Sequence, residues 1–148
     1  MAVICWEWFM TDKTRILVIE DETPLAMMMV SLLARAGCDV LVANTGEKVM
    51  QLAQENKFDL IILDIELPGM NGFEICSELK QRHHSRHAPI VLISKQPSEK
   101  DRQRGLELGT VDYITKPFDA LGFAPRILSH IIRRASTADR DTEVPIES

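Results

Sequence analysis

Apolar residues fall along this chain in two alternating patterns. Short unbroken runs, such as Ile16-Leu17-Val18-Ile19, Leu60-Ile61-Ile62-Leu63 and Ile90-Val91-Leu92-Ile93, are separated by longer stretches with apolar positions every three or four residues. The first pattern predicts strands buried on both faces and the second predicts amphipathic helices. Strands are expected at Arg15 to Glu20, Asp39 to Ala43, Leu60 to Asp64, Pro89 to Ser94 and Asp112 to Thr115.

The helices follow from stripes and caps. Thr23-Pro24 reads as an N-cap with proline at the first helical position. The stripe after it is Leu25, Met28, Met29, Leu32, Leu33 and Ala36, closed by Gly37. The three methionines there read as core filler. Asn44 or Thr45 caps a second helix to about Glu55, with Val49, Met50, Leu52 and Ala53 inward. A third runs from Asn71 to about Arg82 on Phe73, Ile75, Cys76 and Leu79. Ser98 and Asp101 form a capping-box pattern for a nearly all-polar fourth helix ending near Gly109, in which Gly105 is a weak point. Asp119 opens a fifth with the stripe Ala124, Ile127, Leu128 and Ile131. Gly122 and Pro125 predict a distorted first turn, since an interior proline costs about 3 kcal/mol.

Five βα units in strict alternation predict an α/β domain with a parallel sheet and helices on both sides. Residues 14–134 form that domain. Residues 1–13 read as an N-terminal extension, and 135–148 as a disordered tail or the start of a linker. Trp6, Trp8 and Phe9 are either without a role or dock on an apolar patch.

Composition removes several classes. At 148 residues one core suffices, and a net charge of −5 gives no support for nucleic-acid contact by this domain. No apolar run approaches the roughly 20 residues of a membrane span. Three cysteines, Cys5, Cys38 and Cys76, with no secretion signal, read as reduced thiols in a cytoplasm. His83, His84 and His87 read as a solvated loop, because no acid or cysteine near them completes a ligand set.

The chemistry lies where strands end. In parallel sheets, ligands bind beyond the carboxyl ends of the strands. Here those ends carry Glu20-Asp21-Glu22, Asp64, Ser94 and Lys116. Clustered carboxylates repel, and a hard divalent cation such as Mg²⁺ relieves this through oxygen ligands. An aspartate can attack a phosphoryl group to give an acyl phosphate. Lys116 can pair with the carboxylate and then with phosphoryl oxygens, and the Ser94 hydroxyl can reach such an oxygen.

In order and spacing these residues resemble the receiver domain of response regulators in two-component signalling, the CheY-like superfamily. The resemblance covers about Thr14 to Arg134. It rests on Ile-Leu-Val-Ile-Glu-Asp-Glu (16–22), Asp-Leu-Ile-Ile-Leu-Asp-Ile-Glu-Leu-Pro-Gly-Met-Asn-Gly-Phe-Glu (59–74), Ile-Val-Leu-Ile-Ser (90–94) and Asp-Tyr-Ile-Thr-Lys-Pro-Phe (112–118). It implies a flavodoxin-like (βα)5 three-layer sandwich with strand order 2-1-3-4-5. It implies transfer of a phosphoryl group to Asp64 from a sensor histidine kinase or a phosphotransfer protein. It implies Mg²⁺, with Mn²⁺ as a substitute, on Asp21, Asp64 and the Glu66 backbone carbonyl, with Glu20 acting through water. It makes Ser94 and Tyr113 the switch pair and Lys116 a catalytic partner, and it suggests a cis Lys116-Pro117 bond. Gly69 and Gly72 are expected at unusual backbone angles.

The implied protein is a cytoplasmic self-phosphorylating and self-dephosphorylating switch, not a turnover enzyme. It would act on a partner, on an attached output domain, or through a homodimer on the helix 4, strand 5, helix 5 face. Both a stand-alone receiver and a piece of a longer regulator fit the linker-like residues after Arg134. The alternative is a degenerate receiver that serves only as a protein-interaction module. Lys95 keeps that alternative open, since a long cation after Ser94 either attracts phosphate or crowds the entrance. Glu66 is expected to pair with Lys95 or Lys116.

Overall fold

The computed structural model describes residues 13–131. Residues 1–12 and 132–148 lie outside them, and with them Cys5, Trp6, Trp8, Phe9 and the expected tail. The strands are β1 (Arg15–Ile19), β2 (Asp39–Ala43), β3 (Leu60–Asp64), β4 (Ile90–Ser94) and β5 (Asp112–Thr115). The helices are α1 (Thr23–Arg35), α2 (Gly46–Glu55), α3 (Gly72–Gln81) and α4 (Glu99–Glu107), followed by α5 over residues 120–131. The sheet is parallel throughout, in the order β2-β1-β3-β4-β5.

Strand alternation divides the apolar runs between two cores. Leu17, Ile19, Ile61, Leu63, Ile90 and Leu92 face α2 and α3, where they meet Val49, Ala53, Phe73, Ile75, Cys76 and Leu79. Ile16, Val18, Leu60, Ile62, Val91 and Ile93 face α1 and α5, against Met29, Leu33, Phe123 and Ile127. Every residue of β3 and β4 is buried. Each large aliphatic side chain so buried contributes about 1.5–3 kcal/mol. This explains the unbroken runs: with helices on both faces, β3 and β4 leave no position for a polar residue until the strand ends.

Register aligns those ends. Ile19 pairs with Leu63, Asp64 with Ile93, and Ser94 with Thr115. Glu20, Asp64, Ser94 and Lys116 therefore emerge side by side at one edge of the sheet.

Three expectations about the helices are corrected. The N-cap of α1 is Glu22, with Thr23 already helical, and no side chain caps that end. The α1 face is largely the expected one: Met29 and Leu33 are buried with Ala26, Leu25 and Leu32 pack against the same core, and only Met28 and Ala36 of the stripe turn outward. Met27 is 65% exposed and Met28 38%, so only Met29 of the three fills core. The helix α5 is regular from residue 120, despite Gly122 and Pro125. Asp119 Oδ1 accepts from the Leu121 N–H at 3.2 Å and caps it. Pro125 lies on the exposed face, where water can reach the carbonyl that loses its partner.

Thr45 and Asn71 cap α2 and α3 as expected. The capping box of α4 is complete: Ser98 Oγ accepts from the Asp101 N–H at 3.0 Å, and Asp101 accepts back from the Ser98 N–H. With so few apolar contacts in α4, this cap carries weight. We expect Ser98→Ala to cost about 1 kcal/mol, read as a lower urea midpoint. Gly105 does more than weaken this helix. A Cβ there would lie 3.0 Å from both Leu92 Cδ1 and Thr110 Oγ1, so glycine lets α4 sit down on the sheet. Arg104 stacks over the Phe73 ring at 4.7 Å and Arg102 over Tyr113 at 5.3 Å.

His83, His84 and His87 are exposed in the α3–β4 loop, as expected of a solvated segment. Ser85 between them is buried, and its hydroxyl donates to the Leu79 carbonyl at 2.6 Å. Cys38 and Cys76 are free and buried, and burial pushes both thiols up, which keeps them inert.

Candidate functional site: an acidic pocket at the sheet edge

Asp64 closes β3 and is buried. Its Oδ2 accepts from Lys116 Nζ at 2.7 Å, and its Oδ1 accepts from the Glu66 N–H at 2.8 Å. Lys116 Nζ also lies 3.0 Å from Glu20 Oε1, an ion pair without hydrogen-bond geometry, so that this buried oxygen accepts no hydrogen bond. The other Glu20 oxygen accepts from the Asp21 and Glu22 N–H groups at 3.0 and 3.2 Å. Oxygens of Glu20, Asp21 and Asp64 all lie within 4.8 Å of one another.

One ammonium among these acids leaves excess negative charge in a place poor in water. Burial, and then the neighbouring Asp64, push the Glu20 carboxyl up to about 7, against the pull of Lys116. Burial draws Lys116 down, but the Asp64 and Glu20 carboxylates outweigh it and raise the ammonium above its usual range. A carboxyl raised on folding takes up protons in the native state first. With a chelator present, Glu20 thus makes the native protein less stable as pH rises from 4.5 to about 7. Thermal midpoints across that window are expected to fall, and Glu20→Gln to flatten the slope.

Ser94 Oγ donates to Glu66 Oε1 at 2.7 Å, and the Lys95 N–H donates to the same oxygen. This corrects the expected pairing of Glu66 with an ammonium. Lys95 Nζ instead lies 3.4 Å from Glu22 Oε1 in an exposed pair. Its side chain therefore runs along the rim and does not fill the pocket. A cavity of about 460 Å³ remains between Glu22, Leu25, Lys95, Gln96, Lys116 and Pro117. The Tyr113 hydroxyl is buried with no hydrogen bond, and burial, more than any neighbour, pushes it up.

The Lys116-Pro117 bond is cis and Gly69 has φ +73°, both as expected. Gly72 corrects the reading: its φ is not positive, but a Cβ there would lie 2.4 Å from Ile65 Cα. Close approach of α3 to the residue after Asp64, and not an unusual angle, requires that glycine.

The family model for the response regulator receiver domain matches residues 16–127. The chain belongs to this family. A non-phosphorylated HemR receiver domain from Leptospira biflexa is 32% identical over 81% of this chain and 94% of its own, with a TM-score of 0.73. A CheY-like receiver domain protein from Methanospirillum hungatei JF-1 shares the fold at a TM-score of 0.79 and 21% identity, covering 85% of this chain and 99% of its own. The receiver domain of sensor histidine kinase PA1611 from Pseudomonas aeruginosa PAO1 is 24% identical, with a TM-score of 0.72 over 80% of this chain and 98% of its own. That structure has a magnesium ion coordinated in the active-site cleft.

In this receiver domain the residues singled out from sequence, Glu20, Asp21, Asp64, Glu66, Ser94 and Lys116, all gather at one edge, with Tyr113 on the adjacent strand. One polar cluster escaped notice. Asp112 accepts two hydrogen bonds from Arg126, each 2.8 Å, and lies 2.9 Å from His130 Nε2. Burial raises its carboxyl, but these partners prevail and hold it well below the usual range. The cluster ties β5 to α5. Its only sequence signal is the i, i+4 spacing of Arg126 and His130.

Proposed function

We propose that this receiver domain is a phosphorylation-controlled switch in which Asp64 accepts a phosphoryl group from a histidine of a sensor kinase or phosphotransfer protein. The observation that carries the reading is the Lys116–Asp64 contact of 2.7 Å inside a pocket of three acids. An Asp64 oxygen attacks phosphorus, the P–N bond breaks, and its electron pair returns to the imidazole nitrogen. The product is an acyl phosphate on Asp64. Water later attacks the phosphorus, restoring Asp64 and releasing inorganic phosphate. The protein is thus a switch that resets itself, not a turnover enzyme.

Lys116 holds the carboxylate in place and then faces the added charge of about two that a phosphoryl group brings. Ser94 donates to a phosphoryl oxygen. Tyr113, with a buried hydroxyl lacking a partner, follows Ser94 and carries the change to the α4–β5–α5 face. Leu106, Val111 and Leu121 are exposed there and suit an output partner or a second copy.

The donor set fits Mg²⁺, which prefers hard oxygens, and Mn²⁺ as a substitute. Asp21, Asp64 and the Glu66 carbonyl would hold the ion, with Glu20 Oε1, which pairs with Lys116 but accepts no hydrogen bond, accepting from one of its waters. When bound, the ion supplies positive charge that screens the carboxylates from an anionic donor. The proposal places the protein in the cytoplasm. No helix among the described residues is long and apolar enough to cross a membrane.

The test is intact mass after incubation with a small phosphodonor, with and without Mg²⁺. One phosphate adduct that needs the metal is expected. A folded protein without any adduct would favour the interaction-module alternative.

A further inference from the structure

Glu66 makes a choice that charge alone does not explain. Two ammonium groups lie near the site, yet its carboxylate turns to neutral donors. A single oxygen, Oε1, receives both the Ser94 hydroxyl and the Lys95 N–H. Two donors converging on one anionic oxygen form an oxyanion seat. This seat adjoins the acceptor: Asp64 pairs with Ile93, the residue before Ser94, and the Glu66 N–H donates to Asp64 itself. Ser94 is 2% exposed, so no water competes freely for its hydroxyl. While Glu66 holds that hydroxyl, the Tyr113 hydroxyl remains buried without a partner.

We propose that the Glu66 carboxylate is an internal stand-in for a phosphoryl oxygen, occupying the Ser94 and Lys95 donors until phosphorylation of Asp64 expels it. The inference rests on the phosphoacceptor reading and adds an autoinhibitory contact to it. Two anions cannot share one donor pair, because each would repel the other in a site already overloaded with acids. The resting protein is therefore satisfied at Ser94, and phosphorylation must work against that contact. Glu66 here is a regulatory group and not a catalytic one: it leaves before the donors serve the phosphoryl group.

The experiment is calorimetric titration of the full chain with beryllium trifluoride, a phosphoryl analogue, in the presence of Mg²⁺. The proteins compared are wild type, Glu66→Ala, Glu66→Gln, Ser94→Ala and the Glu66→Ala/Ser94→Ala double variant. Glu66→Ala is expected to tighten binding about tenfold, the scale of a lost charge-assisted competitor. Glu66→Gln keeps an acceptor without the charge and is expected to fall between. The gain from Glu66→Ala is expected to shrink in the Ser94→Ala background, because the contested donor is gone. Unchanged or weaker binding by Glu66→Ala overturns the proposal. So does an equal gain in both backgrounds, which would mark simple removal of negative charge. Binding by Glu66→Ala alone would support it strongly. Binding by none of the proteins would sink the phosphoacceptor reading itself, and this inference with it.

Discussion

Asp64→Ala is expected to remove the phosphate adduct completely while leaving the protein folded. Other acids stand near, so the completeness of the loss is the informative part. Glu20 has one oxygen tied to two backbone N–H groups and the other paired with Lys116 at 3.0 Å, which leaves neither free to attack. Glu22 is exposed and faces Lys95. Asp64 alone among these acids accepts a hydrogen bond from the Lys116 ammonium, at 2.7 Å. Stability should move the other way. Asp64 is one of the groups that raise Glu20, so its removal lets Glu20 ionise more readily and pair with Lys116 alone. The thermal midpoint is expected at or above that of the wild type. An adduct surviving on Asp64→Ala, located by peptide mapping at another acid, would move the acceptor elsewhere.

Gly72→Ala is the second large effect, and it sets packing against propensity. Alanine at the first turn of α3 gains up to about 1 kcal/mol over glycine in helix propensity. Its Cβ, however, would meet the Ile65 Cα at 2.4 Å and Cβ at 2.9 Å. Backbone cannot rotate out of the way as a side-chain tip can, and overpacking of this kind costs about 1–3 kcal/mol or more. A net loss near 2 kcal/mol in urea unfolding is expected. The strain should also reach the chemistry, because Ile65 joins Asp64 to Glu66. Slower adduct formation in the still-folded variant is the accompanying result. Unchanged stability would mean the β3–α3 loop gives way more easily than its packing implies.

The fold was readable because a sheet covered on both faces leaves its central strands with almost no polar positions before their ends, and those runs stand out. The site was readable for a related reason: the first polar residue after each run is held at the edge by register. What was not readable lies in contacts between distant residues. Nothing in the order of residues shows that Glu66 prefers Ser94 to Lys116, since the choice depends on the approach of two loops. Gly105 and Gly72 looked like a weak point and a loop angle, because what a glycine admits is visible only once its neighbour is in place. Pro125 looked disruptive because its position on the solvent face depends on how α5 rolls against Phe123 and Ile127.

The seating of α4 has a further thermodynamic consequence. A helix held by an apolar stripe must wet that stripe to move, with the heat-capacity change that such wetting brings. This one rests on a glycine, two arginine–ring contacts and a capping box. Leu106, the large apolar residue within it, is already 72% exposed. Displacing α4 therefore wets little hydrocarbon of its own, the sheet beneath it contributing chiefly Leu92 under Gly105, and the arginines carry their solvation with them. Its position is a soft coordinate on an otherwise stiff body, and an event worth only a few hydrogen bonds at Ser94 is of the right size to shift it.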